Sequence, residues 1–265
     1  MSKRVRHILS LSGGKDSTAL AIYMRDRVPD IEYVFSDTGD ELPETYEYLD
    51  RLEAFLGQRV IRLNPDRPFS HYLDIYRGVL PDARTRWCTR MLKLKPFERY
   101  VGDDIAINYV GIRWDENRSG YISHKPNITS CYPFIEDSLG RDDVFRILES
   151  SGIGLPAYYR WRSRSGCYFC FFQQKIEWVG LLENHPDRFD RASDYEKWDA
   201  RSQRRFTWAR GESLAELRMP ERVMVIKAEH EQRMQNRPKV NPNQALYDAF
   251  GDSDGADEPC LICTL

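Results

Sequence analysis

The sequence lacks an apolar run of the length that a membrane-spanning helix needs. No uninterrupted apolar stretch in its 265 residues approaches the ~20 residues required to cross a bilayer. The chain begins with basic residues, but a glycine-bearing segment follows too soon for the apolar region of a signal peptide. We therefore expect a cytoplasmic protein without a membrane partner. In that reducing compartment, its six cysteines indicate metal or redox chemistry more than structural disulfides.

The chain also has few histidines and little net charge. Its five histidines are scattered without the spacing of metal ligands, which favours surface or packing roles for them. The net charge of −2 conceals two basic clusters, in residues 84–99 and 160–164, that flank cysteines. A third basic cluster, residues 201–210, is equally well explained by a solvated face. The first two clusters predict an anionic ligand near the cysteines.

A long glycine loop ending in Gly-Lys-Ser/Thr, which marks a Walker nucleotide site, is absent. A shorter turn follows the apolar run at 7–11 and precedes a helical pattern: Ser12-Gly13-Gly14-Lys15-Asp16-Ser17. A glycine pair between a strand and a helix lets the backbone approach a ligand closely, and amides at a helix N-terminus favour phosphate. The serine hydroxyls and the Lys15 ammonium add donors, and Asp16 is suited to hold Mg²⁺ on the phosphates. An ordinary strand–turn–helix junction is the competing interpretation.

Strands and helices alternate through the first half of the chain. Strands are predicted at 31–35, 60–63 and 105–112, and a helix runs from Pro43 to a stop signal at Gly57. This alternation predicts an α/β fold with a doubly wound, mostly parallel sheet. In such sheets, ligands bind beyond the carboxyl ends of the strands. Three polar turns fall at such ends and are expected to share one crevice: Ser12–Ser17, Asp37-Thr38-Gly39 and Gly111-Ile112-Arg113.

The composition changes near residue 163, where aromatic and charged residues become dominant. Further helices are predicted at 175–183, 186–205 and 220–236. The expected division is a nucleotide-binding domain at 1–162, a cysteine-containing helical region at 163–250, and a flexible acidic tail at 251–265. The tail carries a second C-x-x-C pair, Cys260 and Cys263. That pair is suited to deliver persulfide sulfur or to reduce a disulfide, or it has no role.

Several motifs together resemble a known family. Asp37-Thr38-Gly39 is followed by Pro43-Glu44-Thr45 and later by Gly111-Ile112-Arg113. With the Ser12–Ser17 loop, they resemble the PP-loop ATP pyrophosphatases and the phosphoadenosine-phosphosulfate (PAPS) reductases, which are adenine nucleotide alpha hydrolase-like proteins. The resemblance implies that the loop binds phosphates, that the Asp37–Gly39 turn lies near the adenosine, and that Arg113 approaches the nucleotide. It also implies catalytic roles for Lys15 and Asp16, with Mg²⁺ bound to ATP.

The cysteines resemble the ligands of an iron–sulfur cluster in this family. Relatives that carry a four-iron cluster place a Cys-Cys pair where this chain has Cys88 and Thr89, and a C-x-x-C where it has Cys167 and Cys170. The resemblance therefore implies three ligands for a [4Fe–4S] cluster, with one iron open to sulfide or to a substrate sulfur. A zinc ion, or reduced thiols packed among aromatic side chains, are the alternatives. Cys131 is a candidate fourth ligand.

The resemblance implies two chemistries and one binding role. The first is an ATP pyrophosphatase, converting ATP to AMP and pyrophosphate, that activates a substrate for sulfur transfer. Its motifs are most similar to the PP-loop component of bacterial DNA phosphorothioation systems, which implies DNA, a sulfur donor such as a cysteine desulfurase, and other subunits as partners. The second is a PAPS or APS reductase giving sulfite, although the Glu-Cys-Gly motif of those enzymes is absent. The third is a non-catalytic nucleotide-binding subunit of a larger assembly.

Overall fold

The computed structural model describes residues 5–116, 123, 125–199 and 204–236. Its centre is a five-stranded sheet in which each strand pairs in parallel with its neighbours. The spatial order is β3-β2-β1-β4-β5, formed by β1 (Val5–Leu11), β2 (Glu32–Ser36), β3 (Val60–Leu63), β4 (Ile105–Tyr109) and β5 (Ile128–Cys131). The chain builds outward from β1 on one side and then resumes on the other side with β4. This confirms the predicted doubly wound parallel sheet and places its crevice at the carboxyl ends of β1 and β4.

Helices connect and cover the strands. The first, α1 (Lys15–Met24), begins directly after Gly14. The second, α2 (Pro43–Leu56), has proline in its first turn and ends at Gly57, whose φ of 65° lies in the left-handed region. The other helices of the described chain are α3 (Phe69–Ile75), α4 (Trp87–Thr89), a π-helical turn (Arg90–Leu94), α5 (Lys95–Val101), α6 (Pro133–Glu136), α7 (Arg141–Ser150), a 3₁₀ turn (Ala157–Arg160), α8 (Lys175–Asn184), α9 (Pro186–Asp194), α10 (Leu214–Leu217) and α11 (Pro220–Gln235).

The helix predicted over 186–205 is wrong beyond Asp194. The chain leaves α9 there and forms an antiparallel hairpin from β6 (Lys197–Asp199) and β7 (Arg204–Phe206). Glu196 fixes this departure, because its carboxylate accepts hydrogen bonds from the backbone N–H groups of Trp208 (2.9 Å) and Leu214 (2.7 Å). These contacts join segments that are 12 and 18 residues apart in sequence. The spacing of apolar residues within one helix therefore cannot predict them.

A smaller difference concerns the second half of the sheet. Strand β4 ends at Tyr109 instead of Ile112, and the Val110 N–H is bonded to the Cys131 carbonyl at 3.0 Å. Pro133 opens the short helix α6 just after β5. Proline suits a first helical turn because its missing N–H has no intrahelical partner there.

The sheet is covered on both faces by apolar side chains. One face packs against α1, α2 and α7, and the other against α5. A third, strongly aromatic cluster surrounds Phe69 of α3 and joins it to the C-terminal helices. The Phe69 ring centroid lies 4.2 Å from that of Phe169 and 4.9 Å from that of Trp87. This cluster attaches the cysteine-bearing segments to α3, which follows the third strand of the sheet.

In the part of the chain that the structure describes, no helix combines the length and apolar character needed to cross a membrane. The domain limits at residues 162 and 250 stay predictions. The acidic tail, with Cys260 and Cys263, lies outside the described residues.

We expect Phe69→Ala to lower the free energy of unfolding by about 3–5 kcal/mol, because it leaves a cavity at the centre of the aromatic cluster. Ile75→Ala lies on the same helix at a position that is 59% exposed. We expect it to change that free energy by no more than about 0.5 kcal/mol. Urea unfolding followed by circular dichroism measures both variants, and equal losses would contradict the central position of Phe69.

Candidate functional site: a glycine loop beside a cysteine pocket

The Ser12–Ser17 loop lies at the carboxyl end of β1 and is held by its own serines. The Ser12 backbone N–H donates to the Ser17 hydroxyl at 3.1 Å, and the Ser17 hydroxyl donates to the Gly14 carbonyl at 3.2 Å. Gly13 adopts a φ of 71°, and a Cβ built there would lie 2.6 Å from Thr45 Cγ2. Glycine is therefore required by both the backbone conformation and the close approach of α2.

A segment from the second half of the chain packs over this loop. The buried Tyr158 hydroxyl donates to the Gly13 carbonyl at 2.7 Å, and the Lys15 N–H donates to the Tyr159 hydroxyl at 3.3 Å. The Ser165 hydroxyl donates to the Ser12 hydroxyl at 3.2 Å. A Cβ on Gly14 would lie 2.7 Å from the Ser165 oxygen. The second glycine of the pair thus makes room for this neighbouring segment.

Lys15, Asp16 and Arg113 form one charged group at the start of α1. One Asp16 oxygen is 2.8 Å from Arg113 Nη1, and the other is 3.3 Å from Lys15 Nζ. Arg113 also contacts the carboxylates of Asp115 and Glu116, at 2.9 and 3.0 Å. The structure therefore brings together the two predicted catalytic residues and the predicted nucleotide-binding arginine. The Mg²⁺ ion stays a prediction.

The Asp37–Gly39 turn lies beside this group, at the carboxyl end of β2. An Asp37 carboxylate oxygen accepts hydrogen bonds from the Gly39 N–H at 2.9 Å and the Tyr46 hydroxyl at 2.8 Å. Gly39 has a φ of 78°, in the left-handed region. Asp37 thus shapes the turn, and its predicted contact with the nucleotide stays a prediction.

The three predicted cysteine ligands line one narrow cavity. Cys88 comes from α4, and Cys167 and Cys170 come from the loop before α8. Lys93 and Thr38 also line the cavity, whose volume is about 30 Å³, enough for one or two water molecules. The arrangement unites residues far apart in sequence, as the family resemblance implied.

Burial favours the protonated form of two of the three pocket thiols, those of Cys88 and Cys167, by raising their pKa values. Burial raises the pKa of Cys88 to about 12 and raises that of Cys167 well above its ordinary value. Burial lowers the pKa of Lys93, but the Glu41 carboxylate and the neighbouring thiols together bring it above its ordinary value. A metal or cluster would have to displace the thiol protons, so binding and proton release would be coupled.

Thr38 connects the nucleotide turn to the cysteine pocket. Its hydroxyl is 3.1 Å from Cys167 Sγ and donates to Glu41 Oε1 at 3.0 Å. Glu41, which is 1% exposed, also accepts a contact from Cys167 Sγ at 3.6 Å. Glu41 was not among the predicted site residues. The sequence shows it only as an acidic residue between the Asp37–Gly39 turn and the start of α2, which by itself does not indicate a site.

The basic clusters divide into structural and exposed members. Arg162 is 2% exposed and donates to the carbonyls of Gly166 (3.0 Å) and Cys167 (2.8 Å), so it shapes the cysteine loop. Arg86 and Arg164 are half-buried and lie over the Phe172 ring, 5.2 and 5.7 Å from its centroid. The exposed members are Arg84, Arg90, Lys95, Arg99 and Arg160. The anionic ligand expected near the cysteines stays a prediction.

Cys131 is not among the residues that line the cysteine cavity. It ends β5, packs with the sheet, and its thiol donates to Glu136 Oε1 at 3.3 Å. Cys131 therefore packs in a different apolar cluster from Cys88 and Cys167, and its role as a fourth ligand stays a prediction. Within the described ranges, no three His, Cys, Asp or Glu side chains lie close enough to hold a single metal ion.

Comparison with known proteins found one family model and several relatives that are similar to parts of this chain. Residues 6–128 match the family model of the phosphoadenosine phosphosulfate reductase domain. The chain is 27% identical over 196 residues to an uncharacterized protein of Methanocaldococcus jannaschii, covering 70% of this chain and 46% of that protein. It is 31% identical over 111 residues to the adenosine 5'-phosphosulfate reductase of Staphylococcus haemolyticus, covering 42% of this chain and 45% of the reductase. It is 25% identical over 134 residues to the tRNA-specific 2-thiouridylase MnmA of Lacticaseibacillus paracasei, covering 44% of this chain and 36% of the thiouridylase.

This chain spans less than half the length of each of these relatives. The family match contains the glycine loop, the Asp37–Gly39 turn, Cys88 and Arg113, and it ends before the loop that carries Cys167 and Cys170. The family match therefore spans the glycine loop and the Asp37–Gly39 turn but not the loop with the C-x-x-C pair.

We expect Gly14→Ala to lower the free energy of unfolding by about 1–3 kcal/mol, because the new methyl group overlaps Ser165. The backbone φ of −108° at Gly14 is acceptable for alanine, so the effect is steric. Ser165→Gly in the same chain should restore most of the loss. Chemical unfolding of both single variants and the double variant measures the coupling, and a double variant no more stable than Gly14→Ala would contradict the contact.

Burial raises the pKa of Asp40, which is 5% exposed beside Tyr168, to about 6. The folded protein therefore binds this proton more tightly than the unfolded chain, where the pKa is about 4. Stability from this group is fully present below about pH 4 and is lost as the pH rises to about 6, by up to about 3 kcal/mol. Asp40→Asn should flatten the unfolding free energy across that window. An unchanged pH profile would show that Asp40 does not titrate in this way.

Proposed function

We propose that the protein cleaves MgATP to AMP and pyrophosphate and thereby activates a substrate for sulfur transfer. The observation that carries the proposal is the 3.1 Å contact between the Thr38 hydroxyl and Cys167 Sγ. This contact joins the Asp37–Gly39 turn to the cavity that Cys88, Cys167 and Cys170 line. Phosphate activation and sulfur delivery would then occur at neighbouring positions without a long transfer.

The loop residues have the chemistry for the first half of this reaction. Loop amides and the Lys15 ammonium would stabilise the negative charge that develops on the leaving pyrophosphate. Asp16 would help to hold Mg²⁺, and Arg113 would orient the nucleotide while keeping Asp16 in place through their 2.8 Å ion pair. Lys15 is 5% exposed, so its charge acts in a site with little water.

The cysteine pocket would hold a [4Fe–4S] cluster through Cys88, Cys167 and Cys170. Soft thiols suit iron–sulfur clusters. The buried Glu41 Oε2 has no hydrogen-bond partner among the described residues, which is consistent with a missing positive group. A cluster with three protein ligands supplies an iron able to bind sulfide or a substrate sulfur.

The proposed acceptor is a nucleic-acid phosphate, as in bacterial DNA phosphorothioation. Arg86 and Arg164 at the cysteine pocket support it, because each neutralised phosphate adds salt-sensitive affinity. The role would take place in the cytoplasm with a sulfur donor, such as a cysteine desulfurase, and with other subunits.

A second candidate is an APS or PAPS reductase that releases sulfite. The 31% identity with the Staphylococcus haemolyticus reductase over 111 residues favours it. A reductase of this type needs a nucleophilic cysteine thiolate, whereas the Cys88 and Cys167 thiols have raised pKa values. A non-catalytic nucleotide-binding subunit is the third candidate, and the intact Ser12–Ser17 loop argues against it.

We expect the anaerobically purified full chain to release pyrophosphate from MgATP, with release stimulated by DNA. Lys15→Ala should lower the rate about 10²–10³-fold, because it removes a cation aimed at the leaving group. Asp26→Asn, an exposed change just beyond the other end of α1, is the matched control and should leave the rate unchanged. Pyrophosphate detection after each substrate addition measures these rates.

A parallel reaction supplies APS and a thiol reductant instead of ATP and measures sulfite. Sulfite without pyrophosphate release would replace the first proposal with the reductase. Neither product, with nucleotide still bound, would favour the non-catalytic subunit.

A further inference from the structure

The hairpin of β6 and β7 presents an exposed tryptophan that the proposed function does not use. Trp198 is 55% exposed, whereas Trp178 and Trp208, the tryptophans on either side of it in the sequence, are buried. Trp198 pairs with Arg205 across the hairpin, so the two side chains share one face. The guanidinium carbon of Arg205 lies 5.9 Å from the centre of the Trp198 ring. The neighbouring residue Phe206 packs against the aromatic cluster, so the Trp198 face is directed away from that cluster.

A groove of about 470 Å³ lies beside this face. Its lining combines the Trp198 ring and the Arg205 guanidinium with three hydroxyl-bearing residues. Two carboxylates also line the groove, and both are engaged within the protein. Glu196 accepts two backbone N–H groups, and Glu216 accepts Arg205 Nη1 at 2.8 Å and the Ser213 N–H at 2.7 Å. The groove therefore offers a flat ring, a cation and hydroxyl groups at a volume typical of small-ligand pockets.

The segment around the groove is strongly basic. Residues 197–210 contain five basic residues and one acidic residue, in a chain whose net charge is −2. Four of the basic side chains are exposed in the described structure: Lys197, Arg204, Arg205 and Arg210. A single exposed aromatic side chain is common on protein surfaces. An exposed ring among cations, in contrast, is the combination that binds single-stranded nucleic acid, because bases stack on the ring and phosphates contact the cations.

The base of the hairpin is attached to the wall of the cysteine cavity. Trp208, just after β7, stacks on Phe169 with ring centroids 5.5 Å apart and an angle of 20° between the rings. Phe169 lines the cavity together with Cys88, Cys167 and Cys170. A strand held on the hairpin is therefore bound to the same packed unit as the three thiols.

We propose that the β6–β7 hairpin binds single-stranded DNA, with an unpaired base stacked on Trp198 and the adjoining phosphates on Arg204 and Arg205. The choice of DNA rests on the acceptor of the proposed function, whereas the preference for an unpaired strand comes from the hairpin itself. In a duplex the bases are stacked on one another, so the Trp198 ring has no free base to contact. The exposed ion pair between Arg205 and Glu216 contributes little, and a phosphate is able to replace the carboxylate.

The stacking contact is tested by the fluorescence anisotropy of a short fluorescein-labelled, single-stranded oligodeoxynucleotide added to the full chain without ATP. We expect Trp198→Ala to weaken binding about 5–100-fold, the usual effect of removing an aromatic ring on which a base stacks. Trp198→Phe keeps a ring and should retain most of the affinity. Trp114→Ala is the matched control, because Trp114 is 58% exposed and lies outside the hairpin, and it should leave the affinity unchanged.

The phosphate contact is tested by the salt dependence of the same binding. Arg205→Gln should lower the slope of log affinity against log salt concentration by about 0.7, the value for one lost phosphate contact on a single strand. Arg146→Gln is the matched control, since Arg146 is an exposed arginine that pairs with Asp143 as Arg205 pairs with Glu216. It should leave the slope unchanged. Because the slope counts phosphate contacts, a structural role of Arg205 alone would not change it.

Equal binding of the oligonucleotide by the Trp198→Ala, Trp114→Ala and unmodified proteins would overturn the inference. Tighter binding of the same sequence as a duplex or as RNA would also overturn it, as would equally effective competition by a polyglutamate peptide. Pyrophosphate release from MgATP by the unmodified protein, measured without DNA, reports the nucleotide chemistry separately. A loss of binding confined to the hairpin variants would support the inference even where no pyrophosphate is released, so the two failures are distinguishable.

Discussion

The hydrogen bond from the Tyr158 hydroxyl to the Gly13 carbonyl, 2.7 Å long and buried, is the contact on which the arrangement of the site depends. It fixes the start of the segment that carries Ser165, Cys167 and Cys170 against the glycine loop. The Gly13 carbonyl accepts the Tyr158 hydroxyl, and Ser165 packs closely against Gly14. The two glycines therefore allow close packing within the protein as well as close approach of a ligand. The loop that would bind phosphate is thus also the surface on which the cysteine segment is positioned.

The aromatic cluster around Phe69 supports the cysteine pocket from the other side. Cys88 and Cys167 pack against it, and Phe169 lies between the two cysteines of the C-x-x-C pair in sequence. An apolar wall lowers the local dielectric response, so it strengthens the interaction between Glu41 and Lys93 and makes thiolates costly. The same packing that holds these segments together therefore raises the pKa values of the Cys88 and Cys167 thiols and favours their protonated form.

Local patterns predicted the sheet well because parallel strands are short apolar runs and their helices have clear start and stop signals, as at Pro43 and Gly57. The hairpin after Asp194 was not predictable in this way, since Glu196 acts on backbone groups of Trp208 and Leu214 that are distant in sequence. The meeting of Cys88 with Cys167 and Cys170 came from the family resemblance and not from periodicity. Arg162 carried the right charge for an anion site, but tertiary burial assigned it to two loop carbonyls.

The Thr38 side chain lies where it would couple the two halves of the proposed site. It contacts Cys167 and Glu41 while its neighbours Asp37 and Gly39 form the turn expected near the nucleotide. A group bound among the thiols would order Thr38 from one side, and a nucleotide would order the turn from the other. If one ligand stabilises this conformation, the second ligand would bind more tightly. The coupling free energy must be the same whichever ligand binds first. A protein that activates a phosphate before moving sulfur benefits from that reciprocity, because the sulfur site is then best organised when the nucleotide is bound.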